Sequence, residues 1–338
     1  LLRLTVRWKS RVKRLMPING SDDRTQLTAG REVLADYGQD EAMNRRKALE
    51  RGHSDTRVFG GGKTFFHPEN SRLSASLLRR LLKLTGMLDR GRRNAMDIGV
   101  RENLVTLPRL PKSFDGFTVL QISDLHLDSS PDFAPRLAEV VAPLEYDLCV
   151  LTGDYRFHTR GDVRPALMGL SLLREALNGD VYAVLGNHDS SDMIPDMLTM
   201  GYELLYNASV PIQRDGQKIY LVGVDDPHFF QTDDLEKALT AVPEGITRML
   251  LAHSPEIYRV AESADVDFMV CGHTHGGQIA LPGGKVLYKN ARCPSRLASG
   301  NWQYGSLKGY TSVGAGSSLL DVRFNCQPEV VLHRLHCP

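Results

Sequence analysis

The chain has 338 residues, of which 42% are hydrophobic and 24% are charged, a composition typical of a globular protein with one large or two smaller domains. Its five cysteines have no CxxC spacing, which argues against a disulfide framework or a zinc knuckle. No apolar run approaches the roughly 20 residues of a membrane span, and the basic first segment lacks the apolar core of a signal peptide. These features favour a cytoplasmic protein.

Charge divides the chain into two unequal parts. Residues 1–112 hold 24 basic and 12 acidic side chains, whereas residues 113–338 have a net charge of −11. We therefore expect a basic N-terminal extension over 1–112, followed by a second domain over 113–338. Residues 1–70 lack sustained periodicity apart from helical candidates at 26–37 and 41–51, which predicts a partly disordered segment.

The end of the basic part has the pattern of an amphipathic helix, predicted over about 74–93. The face away from its basic side chains carries four leucines, which are Leu77, Leu81, Leu84 and Leu88. Two interpretations stay open. In the first, the helix packs on the second domain with a solvated basic face. In the second, residues 77–93 bind an anionic membrane surface or another polyanion, and membrane binding would make the protein peripheral at the inner membrane face.

From residue 117 onward, short apolar runs alternate with helical patterns. The apolar runs predict buried strands at 117–122, 147–152, 181–185, 248–252 and 267–271. The segments between them predict helices at 132–145, 162–178, 191–200 and 254–264. Residues 202–224 predict a hairpin that turns at Asp215-Gly216. This alternation is typical of βαβ units, and two sheets covered by helices are the simplest arrangement.

Each predicted strand is followed within a few residues by side chains that can bind a metal. Because the carboxyl ends of strands in open α/β sheets line one crevice, we expect these side chains to meet there. Residues two apart in an extended chain project to the same side, so a D-x-H or H-x-H pair can share a target. The candidate donors are Asp124, His126, Asp154, Asn187, His253, His273 and His275.

Seven oxygen and nitrogen donors exceed the needs of one tetrahedral metal ion. Two ions that share the carboxylate of Asp154 would use the whole set. Such ions, about 3.5–4 Å apart, can bind a bridging hydroxide, orient a phosphate ester and stabilise in-line attack. The residues therefore predict hydrolysis of a phosphoester bond.

Five short motifs, SDLHL, TGDYR, LGNHD, LAHSP and CGHTH, resemble in order those of the calcineurin-like metallophosphoesterases. The resemblance covers about residues 117–335, and GHTHGGQIALP is similar to the bacterial branch of that family that includes the YkuE and YaeI types. It implies an α/β fold, a four-layer αββα sandwich of two mixed β-sheets flanked by helices. It also makes residues 113–338 the expected catalytic domain.

The resemblance further implies a role for each candidate donor. Asp154 would bridge two metal ions. The ligands of one ion would be Asp124, His126 and His275, and those of the other Asn187, His253 and His273. The ligand chemistry favours transition metals, namely Mn²⁺, Fe, Zn²⁺ or Ni²⁺, over Mg²⁺.

Two further residues of the LGNHD motif are candidates for catalysis. By the resemblance, His188 would contact the substrate phosphate or protonate the leaving oxygen, and Asp189 would orient its imidazole. Many family members have a second carboxylate three residues after the GD aspartate, where this chain has Phe157. Asp226, just after the predicted hairpin, is a candidate substrate-binding residue or a cap of the turn.

The resemblance favours a phosphodiester or a pyrophosphate as the substrate. One candidate is a lipid-linked pyrophosphate of the UDP-diacylglucosamine type, and another is a nucleic acid or nucleotide, although residues 70–112 have almost no aromatic side chains for base stacking. A non-catalytic scaffold is disfavoured because no donor of the set is missing. No obligatory protein partner is expected.

Overall fold

The computed structural model describes residues 40–53, 57–60, 63–66, 72–281, 285–286 and 290–338. The helical candidate at 26–37 and most of the segment predicted to be partly disordered lie outside the described residues. The candidate at 41–51 is confirmed as helix α1, Glu41–Gly52. It begins after Asp40, whose carboxylate accepts the backbone N–H of Ala42 and so caps the helix.

The chain then forms a short hairpin and two helices. The hairpin pairs β1 (Arg57–Gly60) with β2 (Lys63–Phe66), and the helices are α2 (Arg72–Leu84) and α3 (Leu88–Ala95). The single helix predicted over about 74–93 is therefore wrong, because the chain turns at Gly86, whose φ is +69°. Leu88 begins the second helix and packs against a buried apolar cluster instead of extending the leucine face.

The first large sheet extends to the N-terminal side of the boundary predicted between residues 112 and 113. Its strands are β3 (Gly99–Thr106), β4 (Thr118–Ile122), β5 (Leu148–Thr152), β6 (Val181–Val184), β7 (Glu203–Leu204) and β16 (Glu329–His336). They lie in the order β3-β16-β4-β5-β6-β7, with β16 antiparallel to β4 and all other pairs parallel. Every residue of β4, β5 and β6 is buried, which accounts for their unbroken apolar sequences.

The second large sheet is also mixed. Its strands are β8 (Ala208–Arg214), β9 (Gln217–Gly223), β10 (Arg248–Leu251), β11 (Phe268–Cys271), β14 (Gly300–Tyr304) and β15 (Leu307–Thr311), and their order is β14-β15-β11-β10-β9-β8. The predicted hairpin is confirmed, because β8 pairs antiparallel with β9 through Asp215 and Gly216, whose φ values are +48° and +76°. A separate small sheet pairs β12 (Ala280–Leu281) with β13 (Lys285–Val286).

Helices cover the outer face of each large sheet. They are α4 (Phe133–Val141), α5 (Arg164–Ala176), α6 (Ile194–Thr199), α7 (Leu235–Leu239) and α8 (Tyr258–Ser263). Short 3-10 turns occur at Lys112–Phe114, Ser191–Met193, Pro255–Ile257, His275–Gly277 and Ser295–Leu297. Leu137 of α4 shares one buried cluster with Leu120 of the first sheet, and Ala261 of α8 shares another with Leu250 of the second.

The two sheets pack face to face through a third apolar cluster. Val119 and Val150 of the first sheet lie in this cluster with Leu221, Leu251 and Val270 of the second. Val119 and Leu120, which are neighbours in β4, thus lie in clusters on opposite faces of the sheet. This is expected because successive side chains of a strand alternate between its two faces. The predicted four-layer αββα sandwich is confirmed. Among the described residues, no helix combines the length and apolar character needed to cross a bilayer.

Candidate metal centre

The side chains that follow β4, β5, β6, β10 and β11 meet at one end of the sandwich, where strands of both sheets end. All seven predicted donors are buried, and none is more than 6% exposed. They are Asp124, His126, Asp154, Asn187, His253, His273 and His275. Burying a polar group costs free energy unless other groups bind it, so a buried cluster of seven polar donors needs a physical explanation.

The backbone around these donors is strained. Five of them have positive φ values, namely Asp124 (+51°), His126 (+43°), Asp154 (+58°), His273 (+71°) and His275 (+50°). A non-glycine residue in this region costs of order 1–3 kcal/mol and persists only where its surroundings determine it. The strain therefore indicates that the loops are shaped to direct their side chains.

Asp154 lies between two groups of donors. Candidate ligand atoms lie within 4.8 Å of one another in three overlapping groups, which are Asp124, His126 and His275; Asp154, His253 and His273; and His126, Asp154 and His188. Oδ2 of Asp154 is 3.3 Å from Nε2 of His253 and 3.9 Å from Nε2 of His126. Oδ1 of Asn187 lies 2.8 Å from Nε2 of His253, so the amide joins the second group.

Backbone carbonyls orient three of the imidazoles. The Nδ1 contacts are His126 with Arg156 (2.6 Å), His253 with Thr152 (2.8 Å) and His188 with Phe157 (2.9 Å). Because a carbonyl oxygen can only accept, each Nδ1 carries a hydrogen and each Nε2 is left to face the centre. Such outer contacts fix the tautomer of histidines that bind metals.

The two buried carboxylates give the centre a negative charge. Burial would raise the pKa of Asp154, but the neighbouring histidines, His253 foremost, lower it well below its ordinary value. Burial likewise raises the pKa of Asp124, to about 6. Burial lowers the pKa of His253, yet the carboxylates of Asp154 and Asp124 outweigh it and raise that pKa to about 10. A proton on His253 thus offsets charge that a bound cation would neutralise instead.

The other three histidines of the donor set have lowered pKa values, which favours the neutral form that binds a metal. Burial lowers the pKa of His126 to about 3 and lowers those of His273 and His275 well below the ordinary value. Nδ1 of His273 lies 3.2 Å from Nε2 of His253, so this nitrogen faces the other donors of the second group. Neutral imidazoles beside carboxylates fit a divalent metal ion.

Asp189 has a different set of contacts from the one that the family resemblance implies. In place of a contact with His188, its carboxylate accepts the backbone N–H groups of Asp154 (2.8 Å), Tyr155 (2.7 Å) and Gly186 (2.8 Å). The carbonyl of Phe157, and not Asp189, holds the imidazole of His188. Asp189 therefore ties the loop after β6 to the loop after β5.

Asp226 is fully buried at the start of the loop after β9. Its carboxylate accepts the backbone N–H groups of His228 (2.9 Å), Phe229 (2.8 Å) and Phe230 (2.7 Å). These contacts are typical of an aspartate that caps a turn. A substrate contact of Asp226 would have to replace them and stays a prediction.

The sequence interpretation missed Arg46, which joins helix α1 to the centre. Its side chain is fully buried, and its guanidinium donates to the carboxylate of Asp225 and to the carbonyls of Gly186 (3.0 Å) and Asp189 (2.8 Å). Gly186 and Asp189 delimit the loop that carries Asn187 and His188. A cation from the basic segment thus binds two backbone carbonyls of this loop.

A signal for Arg46 was available in the sequence. Met43, Arg46 and Leu49 follow at helical spacing and are all buried, so an arginine stands on the apolar face of α1. A charge on such a face requires a buried partner, and that partner is Asp225. Glu50 supports the arrangement, because it accepts the Nε–H of Arg46 (2.8 Å) and the backbone N–H of Ser191 (2.9 Å).

Two mixed sheets that bring buried aspartates and histidines to one end are the architecture of a metal-dependent phosphoester hydrolase. A family model described as calcineurin-like phosphoesterase matches residues 117–277. The chain is 30% identical over 238 residues to phosphodiesterase YaeI of Escherichia coli (strain K12), covering 65% of this chain and 82% of that protein. The chain belongs to the calcineurin-like phosphoesterase family, and the predicted family and branch are confirmed.

Two further relatives bear on the chemistry. The uncharacterized metallophosphoesterase YkuE of Bacillus subtilis (strain 168) is 28% identical over 256 residues, 70% of this chain and 85% of that protein. UDP-2,3-diacylglucosamine pyrophosphatase LpxG of Chlamydia muridarum (strain MoPn / Nigg) is 26% identical over 231 residues, 52% of this chain and 69% of that protein. The alignments support a metal-dependent phosphoester hydrolase.

The buried contacts of Arg46 lead to a prediction about stability. Arg46→Met should lower the free energy of unfolding by about 3–5 kcal/mol, because it leaves Asp225 buried without its cation. The measurement is urea unfolding of the full chain, with Arg45→Met, an exposed arginine of the same helix, as the matched control. Arg46→Met combined with Asp225→Asn should recover part of the loss. Equal stability of the Arg45 and Arg46 variants would contradict the assigned contact.

Proposed function

We propose that the protein hydrolyses a phosphodiester or pyrophosphate bond with two divalent metal ions. The observation that carries the proposal is Asp154, which lies between two groups of buried donors and faces both. We assign Asp124, His126 and His275 to one ion and Asn187, His253 and His273 to the other, with Asp154 shared. When bound, the ions would supply Lewis-acid activation of the phosphoryl group and of the attacking water.

The protein itself would supply orientation and a proton. His188 is 5% exposed, its Nδ1 donates to the carbonyl of Phe157, and its Nε2 lies 3.9 Å from Oδ2 of Asp154. A protonated His188 would present the Nε2 hydrogen to a leaving oxygen bound above the centre, as a general acid does. Asp189 would act on this step through the loop that carries His188, because its carboxylate contacts the backbone.

The donor set supports a transition metal. Imidazole nitrogens outnumber carboxylate groups, and an amide oxygen completes the set. Mg²⁺ prefers oxygen ligands, whereas Mn²⁺, Fe, Zn²⁺ and Ni²⁺ accept mixed nitrogen and oxygen ligands. We therefore propose that the two ions are of one or two kinds chosen from these four metals, and Mn²⁺ is the first to be tested.

Helix α2 supports a substrate at a membrane surface. Its inward side packs through Ala75, Leu78 and Leu82 against a buried cluster, so packing does not require the outward leucines. Those leucines are largely exposed, at 71% for Leu77, 57% for Leu81 and 86% for Leu84. An exposed leucine row beside basic side chains is typical of a helix that lies on an anionic membrane.

A lipid-linked pyrophosphate is the substrate class that joins these observations. LpxG, whose name describes a pyrophosphatase of a diacylated sugar nucleotide, is a relative of this chain, and its substrate would be presented at a membrane. A nucleotide phosphodiesterase is the second candidate, which the basic charge of residues 1–112 favours. The predicted location at the cytoplasmic face of a membrane stays a prediction.

The first test of the proposed function combines metal content with turnover. The purified full chain should contain about two equivalents of transition metal and should hydrolyse bis-p-nitrophenyl phosphate when supplied with Mn²⁺. Asp154→Asn should lose both properties, because the shared carboxylate would be gone. Metal analysis by mass spectrometry and release of p-nitrophenolate are the measurements. A metal-loaded protein without activity on phosphodiesters and pyrophosphates would refute the proposal.

The second test concerns the proton supplied by His188. His188→Ala should keep the metal content but lower kcat by about 10²–10⁴-fold, the usual contribution of a general acid. The loss of kcat should be larger for an alkoxide leaving group than for p-nitrophenolate. Because p-nitrophenolate is the weaker base, it leaves more readily without a proton. His336→Ala, which removes a partly exposed histidine elsewhere, is the control. An equal loss of kcat for both leaving groups would contradict the proposed role of His188 as a general acid.

The third test concerns the leucine row of α2. Replacing Leu77, Leu81 and Leu84 together by serine should weaken binding to vesicles of anionic phospholipid by about 100-fold, because three apolar side chains would no longer enter the membrane. Sedimentation with the vesicles measures the effect. The matched control replaces three scattered apolar residues of comparable exposure by serine, namely Leu104, Met168 and Val260, which are 57–68% exposed. Equal vesicle binding by the two variants would overturn the assignment.

A further inference from the structure

Arg323 is a fully buried arginine that belongs to none of the five motifs. Its Nε donates to the carbonyl of Gly316 at 3.1 Å, and its Nη2 lies 2.7 Å from the carbonyl oxygen of Val313 and 3.1 Å from that of Gly314. The same Nη2 lies 3.2 Å from Nδ1 of His275. Because burying a charge is costly unless polar groups bind it, the carbonyls and the imidazole compensate the buried cation.

The three carbonyls belong to a loop, residues 313–316, that packs against Asp124. The backbone N–H of Gly316 donates to the carbonyl of Asp124 at 2.8 Å. Gly314 has a φ of +79°, and a Cβ there would lie only 2.7 Å from the Cβ of Asp124. Arg323 therefore holds a loop that is in direct contact with one of the metal donors.

The segment that carries Arg323 also binds the backbone of His275. The φ of His275 is +50°, and its carbonyl accepts a hydrogen bond from Sγ of Cys326 at 3.2 Å. Nη1 of Arg323 lies 3.7 Å from the same sulfur. The ring and the backbone of His275 are thus both bound by side chains of this segment, and a strained conformation persists only with such support.

The contacts of Arg323 concern one half of the proposed centre. Arg323 reaches two of the three donors assigned to one ion, because it contacts His275 directly and Asp124 through the 313–316 loop. Among the described residues, none of its hydrogen bonds reaches a donor assigned to the other ion. A change at Arg323 should therefore affect the two ions unequally.

We propose that Arg323 is a positioning residue that fixes the geometry of Asp124 and His275 and thereby sets the affinity of the ion that they bind. The proposal rests on the two-ion assignment of the proposed function and goes beyond it, since it gives a role to a residue that binds the ligands instead of the ion. A guanidinium suits this role because its rigid planar fork can bind acceptors on two segments at once.

The first experiment measures the affinity for Mn²⁺ by calorimetry, in the full chain after a chelator has removed bound metal. Arg323→Lys keeps the charge but loses the planar fork. One of the two equivalents of Mn²⁺ should therefore bind about 10–100-fold more weakly, the usual effect of losing a group that orients metal ligands, and the other should bind as in the wild type. Unchanged affinity for both equivalents would overturn the proposal.

The matched control is Arg248→Lys. Arg248 is also a buried arginine, and its guanidinium donates to the carbonyls of Ala264 at 2.8 Å and Pro243 at 3.0 Å. It begins β10, whereas the metal donors follow the ends of strands. An equal loss of Mn²⁺ affinity in both variants would mean general destabilisation and would overturn the proposal. If Arg323→Lys shows no cooperative unfolding in urea, Arg323→Gln takes its place, with Arg248→Gln as its control.

The second experiment reports the geometry of the ligands. The visible absorption of bound Co²⁺ depends on the arrangement of its ligands, so the spectrum of Co²⁺-saturated protein should change in Arg323→Lys and stay unchanged in Arg248→Lys. A wild-type spectrum in Arg323→Lys would refute the positioning role. Binding of fewer than two Mn²⁺ ions by the wild type would contradict the two-ion centre instead, and the Co²⁺ spectra would still decide the role of Arg323.

Discussion

The carboxylate of Asp154 is almost fully removed from water at the point where both sheets end, and the loops around it are arranged to compensate its charge. The second sheet contributes the imidazole of His253, and the loop after β6 contributes the backbone N–H of His188, which donates to Oδ1 at 2.8 Å. Gly186 permits this close approach, because a Cβ there would lie 2.3 Å from Oδ1 of Asp154. The GNHD motif therefore requires a glycine at position 186, because the backbone there lies directly against the carboxylate of Asp154.

A second buried charge extends the same constraint to the N-terminal part of the chain. Arg46 binds the carbonyls of Gly186 and Asp189 from one side, while the carboxylate of Asp189 accepts backbone N–H groups from the loop after β5. The loop that carries His188 is therefore held at both ends. The proposed role of His188 as a proton donor would require it to be positioned to within a fraction of an ångström, and this support would contribute to that positioning. Helix α1 therefore supports the metal centre through Arg46, although the helix lies in the basic segment.

The sequence was sufficient for features that depend on local pattern. Strand ends, the Asp215-Gly216 hairpin and the seven donors follow from periodicity, turn residues and spacing, and the structure brings the donors together as expected. Contacts between distant segments could not be predicted in this way. The partner of Arg46 is Asp225, 179 residues away, and the contacts of Asp189 depend on the packing of two loops. The break at Gly86 shows a third case, in which one glycine outweighs an otherwise continuous helical pattern.

The proposed reaction and the proposed choice of substrate depend on different parts of this molecule. The donors of the centre suit a metal ion, and a single fold can carry many different functions. The feature that the proposed function links to the substrate lies on N-terminal residues, since α2 carries the exposed leucines. Helix α2 is attached to the domain by its inner apolar side, and Arg92 of α3 pairs with Asp321 at 2.7 Å. The motifs therefore indicate the reaction class, whereas the proposed choice of substrate would depend on side chains that belong to no motif.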